Sequence, residues 1–324
     1  MTHRTMLFFP AALLSAVLTV GVCHAQTYPT KPIRVIVGAV PGGTSDILAR
    51  LLGARMHESW GQQVVVENRP GASGLIGAEL TARAAPDGYT LMLLDFSVII
   101  TAPIAMKSVF DPLKELTPVI TLSYSPHLLC VHPSVPATNV AQLIALAKKQ
   151  PGKLSFASSG PASAPHFAGV LFAQRTGISW VYIPGKGGAQ SIFDVASGQA
   201  DVLFNGMLAT FPHVNSGKLK LLAVSGDKRS PAAPQTPTVA ESLAGFLTGS
   251  WQGIVAPQNT PAALVGRLHG EVKRILELSD SRGKLAMQGT EVLATPPAEM
   301  GAFLRSERER WANIVRASLA ESRP

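Results

Sequence analysis

Glycines and hydroxyl residues, rather than nucleophiles or metal ligands, carry the chemistry this sequence offers. The segment Gly38-Ala39-Val40-Pro41-Gly42-Gly43-Thr44 has the glycine spacing of a phosphate-binding loop. Thr44 stands where that loop needs its lysine, so the segment reads as a tight strand-to-helix turn. His57-Glu58 lacks the second histidine of a zinc-protease helix. No Gly-x-Ser-x-Gly elbow occurs, and Gly71-Ala72-Ser73-Gly74 is off by one. His57, His127, His132, His166, His213 and His269 show no metal-ligand spacing, and no acid/base pair stands out. These absences weigh against an enzyme. No catalytic residue, metal site or cofactor is expected.

Backbone donors beside helix starts are what the loops do contain. Gly42-Gly43-Thr44-Ser45 precedes one expected helix and Ser158-Ser159-Gly160-Pro161-Ala162-Ser163 another. Free N–H groups at a helix N-terminus, joined by hydroxyls, suit a carboxylate. The same serines and threonines can also do no more than cap their own helices. Asp46 reads as a helix cap, as a charge that repels an anion, or as a receiver for a ligand amino group. His166, just inside a proline-started helix, reads as structural. Lys186 lies in Gly185-Lys186-Gly187-Gly188, where glycines let the backbone approach a ligand and an ammonium can pair with a carboxylate.

Alternating strands and helices must position these loops. Strands are expected at 33–37, 64–66 and 89–94, with helices from Thr44 to near Gly61 and from 74 to 85. After an extended stretch over 119–131, helices at 139–150, 165–176 and 189–196 alternate with strands at 154–157, 180–183, 202–204 and 219–224. Residues 230–237 hold three prolines and no apolar period, hence a loop. A strand follows at 251–255, then a mostly helical tail in which Pro261 opens one helix and Pro297 stands before another. This rhythm predicts an α/β fold with a mainly parallel sheet in two lobes. Ligands of such sheets sit outside the carboxyl ends of the strands, so two facing lobes leave a cleft between them.

The chain ends and composition set the compartment. A basic start (His3, Arg4), an apolar run from Met6 to Val22 and then Cys23-His24-Ala25 read as a cleavable export signal over residues 1–25. The mature part would begin at Gln26, hold a single cysteine, Cys130, and therefore form no internal disulfide. The formal charge of +8 is scattered and not interleaved with aromatics, which argues against nucleic acid as a partner. A soluble protein of a Gram-negative periplasm is expected.

In these loops the chain resembles the periplasmic receptors of tripartite tricarboxylate transporters, the Bug proteins. The matching segments are Pro41-Gly42-Gly43-Thr44-Ser45-Asp46 with Ala49-Arg50, and Val66 to Gly74 (VENRPGASG). Pro86-Asp87-Gly88-Tyr89-Thr90, Ala157-Ser158-Ser159-Gly160 with Ser163-Ala164-Pro165-His166, Pro184-Gly185-Lys186-Gly187 and Gly217-Lys218-Leu219 complete the series. The resemblance implies a two-lobed periplasmic-binding-protein fold of type II, with the ligand cleft between lobes. Residues 26–120 with 250–324 would form lobe one and 121–249 lobe two. It implies a small carboxylate ligand (a di- or tricarboxylate, an amino acid or an aromatic acid), delivery to a membrane transporter, and a monomer. The ligand contacts it implies are Gly43, Thr44, Asp46, Phe96, Ser97, Ser158, Ser159, Gly160, Ser163, Lys186, Gly187 and Asn205. The chain departs from the family at Gly185, where an aromatic residue is usual, at Asn205, often an aspartate, and at Asp95-Phe96-Ser97-Val98, usually rich in serine and threonine. A receptor that presents its solute to a sensor kinase, and a secreted hydrolase using a loop serine such as Ser159, are the competing readings.

Overall fold

The computed structural model describes residues 28–321, so the expected signal segment lies outside the described residues. The strands are β1 (Ile33–Val37), β2 (Val64–Asn68), β3 (Thr90–Asp95), β4 (Leu116–Val131), β5 (Ser155–Ser158), β6 (Val181–Pro184), β7 (Val202–Gly206), β8 (Lys220–Val224), β9 (Gly249–Pro257) and β10 (Glu291–Thr295). The helices are α1 (Thr44–Trp60), α2 (Leu75–Ala82), α3 (Ser97–Ile100), α4 (Ala102–Ala105), α5 (Pro112–Glu115) and α6 (Val140–Lys149). They continue as α7 (Ala164–Thr176), α8 (Gly188–Ala196), α9 (Met207–Asn215), α10 (Ala262–Glu277), α11 (Ser279–Met287) and α12 (Pro297–Glu321).

Strand order is β2-β1-β3-β9-β4-β7-β5-β6, with β8 and β10 also on β4. The 16-residue β4 belongs to both lobes. Its residues up to Pro126 pair with β9, while His127 to Val131 pair with β7 and β8. The fold is the expected two-lobed one, but the sheet is mixed rather than mainly parallel. β1 pairs in parallel with β2 and β3, as β5 does with β6 and β7. β4 and β9, which carry the chain between lobes, run against their neighbours.

Helices cover both faces of each lobe's sheet, which is why the strands read as unbroken apolar runs. Side chains alternate along a strand, and each face takes its own set. Val35, Val37, Leu91 and Leu93 meet Leu48, Leu52, Leu268 and Ile275 on one face of lobe one. Ile36, Met92 and Leu94 meet Phe96 and Met300 on the other. In lobe two, Leu129, Val202 and Phe204 pack with Phe156 and Phe172, while Leu128, Cys130 and Leu203 pack with Ile192 and Met207. Cys130 is buried and free, and burial pushes its thiol pKa up. β10 is the strand that the sequence pattern misses. It is a half-buried edge with a register shift against β4, and Ala294 there has a φ of 51°. Neither feature gives the clean alternation by which a strand is read.

Candidate functional site

A cavity of about 260 Å³ lies where the lobes meet. Its walls are the loops leaving the carboxyl ends of β1, β3, β5, β6 and β7, together with Ser73 and the start of β9. That size suits a small solute, since sites for drug-sized ligands run from roughly 300 to 1,000 Å³.

Two helix starts from opposite lobes face each other here. Gly43 precedes α1 and Gly187 precedes α8, and neither helix has a side-chain cap. The loops nearly touch: a Cβ built on Gly42 would stand 3.6 Å from the Ala189 Cβ, and one on Gly187 would stand 3.2 Å from the Ala39 Cβ. Gly187 also has a φ of 143°, a conformation that other residues rarely adopt. At Gly185 a Cβ would fall 2.6 Å from the Ser158 carbonyl oxygen, so this conformation has no room for the aromatic side chain usual at that position. Uncapped first-turn N–H groups leave a partial positive charge at each helix start. Lys186, exposed on the loop before α8, adds a full one and has no acidic partner among the described residues.

Gly43, Thr44, Ser97, Ser159, Gly160, Ser163, Lys186, Gly187 and Asn205 all line the cavity. Asp46, Phe96 and Ser158 do not, and each has a physical reason. Asp46 accepts from Arg50 Nε at 3.0 Å, Gly42 N at 3.0 Å and Asn68 Nδ2 at 3.0 Å. Burial pushes its pKa up, but these hydrogen bonds outweigh it and the net direction is down. The Phe96 ring packs near Phe303 and Gly253 in the core. Ser158 is buried, bonded to the Gly160 carbonyl at 3.1 Å and within 3.2 Å of His166 Nδ1. His166 lies behind the wall, and burial lowers its pKa to about 4. Ser163 reaches the wall yet also caps its own helix, accepting from His166 N at 3.3 Å and donating to Gly160 O at 2.8 Å.

The structure adds residues to the cavity wall that were not among the expected ligand contacts. Ser73 has left-handed backbone (φ 53°, ψ 36°), and its buried Oγ has no hydrogen-bond partner. Non-glycine residues held there carry strain that clusters at ligand sites. Asp95 and Gln252 are register partners on β3 and β9, and Gln252 Nε2 donates to Asp95 Oδ2 at 3.0 Å. Strand pairing, which spacing does not reveal, puts both on the wall. Among the described residues, no group of three or more His, Cys, Asp or Glu is placed to hold a metal ion. No helix there is long and apolar enough to cross a membrane.

Residues 48–319 match the model of the tripartite tricarboxylate transporter family receptor. The chain belongs to that family. Among this receptor's relatives, BugT of Bordetella pertussis is 36% identical over 301 residues, covering 92% of each chain. A Rhodopseudomonas palustris protein solved with adipate is 34% identical, with a TM-score of 0.87 over 89% of this receptor and 97% of that chain. MatC from Rhodopseudomonas palustris with bound malate is 29% identical, with a TM-score of 0.84 over 89% of this receptor and all of that chain.

Proposed function

We propose that this receptor captures a small organic carboxylate in the interlobe cavity and hands it to a tripartite tricarboxylate-type membrane transporter from the periplasm. One observation carries the reading: the uncapped starts of α1 and α8 converge from opposite lobes on a cavity edged by Lys186. A carboxylate bound there accepts hydrogen bonds from both lobes and so favours the closed arrangement. The adipate and malate of the related structures are acids of fitting size. We take residues 26–120 with 250–324 as lobe one and 121–249 as lobe two. The exchange of partner strands on β4 between Pro126 and His127 supports a boundary close to that division. The cavity wall is complete within one chain, in keeping with a working monomer.

Ligand-induced stabilisation tests this. A ligand that binds only the native state, at a hundred times its Kd, adds about 2.7 kcal/mol, a rise of a few degrees in Tm for a protein of this size. A panel of dicarboxylates, tricarboxylates, amino acids and aromatic acids is expected to contain at least one clear stabiliser. Its methyl ester or amide is expected to lose most of the effect, and the acid to be recovered intact. Stabilisation by neutral sugars alone would refute the carboxylate, and steady conversion of the acid would refute the receptor.

A further inference from the structure

The cavity wall carries two formal charges of opposite sign, on opposite lobes. Lys186 stands on the loop between β6 and α8, and Asp95 ends β3. Among the described residues Asp95 has no cationic partner. One of its oxygens accepts from the backbone N–H of Ser97 at 2.9 Å, the other from the Gln252 amide at 3.0 Å. Gln252 is held in turn, because its Oε1 accepts from the Ser45 hydroxyl at 2.7 Å. The Ser97 and Ser250 hydroxyls also hydrogen-bond the carboxylate, so Asp95 is fixed in orientation by neutral donors while its charge has no counter-ion among the described residues. Burial raises its pKa against hydrogen bonds from Ser97 and Ser250, the direction for a carboxylate kept from water without a counter-ion.

Helix starts, hydroxyls and a lysine alone would accept a carboxylate at either end of a ligand. Asp95 breaks that symmetry. A second ligand carboxylate placed beside it meets a like charge, whereas an ammonium supplies the missing counter-ion. We infer that Asp95 determines specificity and that the ligand is an amino-bearing carboxylic acid, its carboxylate toward Lys186 and its ammonium toward Asp95. This rests on the carboxylate reading above and narrows it. Asp46 does not compete for the ammonium, since Arg50 already neutralises it.

Asparagine at 95 removes the charge at nearly the same shape and keeps an oxygen that accepts from Ser97 N–H, giving up only the acceptor for the Gln252 amide. Asp95→Asn therefore separates charge from shape. Calorimetric titration of wild type and variant would use glutamate against glutarate, 4-aminobutyrate against butyrate, and 6-aminohexanoate against adipate. Wild type is expected to bind the amino member of at least one pair tenfold or more tighter than its counterpart. Asp95→Asn is expected to abolish that preference by weakening the amino member at least tenfold, while the counterpart without the amino group binds no more weakly than to wild type. Should asparagine disturb the turn, Asp95→Ser keeps an acceptor for Ser97 without the charge and is read the same way. Counterparts that bind wild type as tightly as the amino members, or a preference that survives both substitutions, would overturn the inference and leave the carboxylate reading standing. Failure of every acid to bind would overturn both.

Discussion

Lys186 is the exposed cation at the cavity edge, and its worth is separable from the fold. It has no acidic partner among the described residues, so Lys186→Ala removes no internal pairing. The substitution is expected to weaken carboxylate binding by about 1.5–3 kcal/mol, the usual worth of a hydrogen bond to a charged group. The ligand-free melting midpoint should stay unchanged, and a variant that binds as tightly as wild type would return Lys186 to the solvated surface. Much of the wall was legible because it is built from short residues next to helix starts: Gly43, Thr44, Ser159 and Gly187 mark the turns and supply the donors together. Side-chain direction was not legible. Phe96 and Asp95 are neighbours, yet one packs into the core and the other lines the cavity. Ser73 needed its backbone angles, and Gln252 its strand partner, before either could be placed.

At the scale of elements, the sequence pattern located α1 and its stop, where Gly61 takes a φ of 68° and donates to the His57 carbonyl. The same pattern could not show that β4 changes partners in mid-strand, because a strand's own residues do not name the strands beside it. His127 sits at that change, fully buried, with Nδ1 within 3.1 Å of Thr248 Oγ1 and Nε2 within 3.1 Å of Ser250 Oγ. It thereby clasps one crossing segment to the other. Burial lowers its pKa to about 3. A histidine depressed in the native state takes up protons more readily when unfolded, so its contribution is intact above the unfolded value near 6.5 and is lost as pH falls toward 3. At pH 5 the loss from His127 is about 2 kcal/mol. Chemical unfolding of the ligand-free protein at pH 7 and pH 5 checks this. His127→Asn should show a shallower acid loss than wild type, though not a flat one, since His166 is depressed to about 4 in the same way. Identical losses in the two proteins would mean that His127 does not gain a proton on unfolding.

At the scale of the whole molecule, the site exists only because two lobes meet. Besides the facing helix starts, the Thr101 hydroxyl of lobe one donates to the Ala162 carbonyl of lobe two at 2.7 Å, in a buried setting. A Cβ on Gly160 would stand only 3.3 Å from Ser73 Oγ. With so little space between the loops, a ligand is expected to enter by parting the lobes about the crossing strands β4 and β9. Gly42 and Ala189 offer a lock on that motion. The 3.6 Å between a Cβ at Gly42 and that of Ala189 lies within the roughly 3.5–4.5 Å that a disulfide spans. A cysteine at Gly42 would bear some strain, about 1–2 kcal/mol, because φ is 87° there. Cys130 would not interfere, being buried with its thiol held protonated. Gly42→Cys with Ala189→Cys, oxidised while ligand-free, is therefore expected to take up its ligand at least tenfold more slowly than when reduced, and a reductant should restore the rate. Stopped-flow fluorescence of the tryptophans would follow it, with Trp251 just behind the site on β9. Uptake at the same rate in both redox states would mean that the ligand reaches the cavity without the lobes separating.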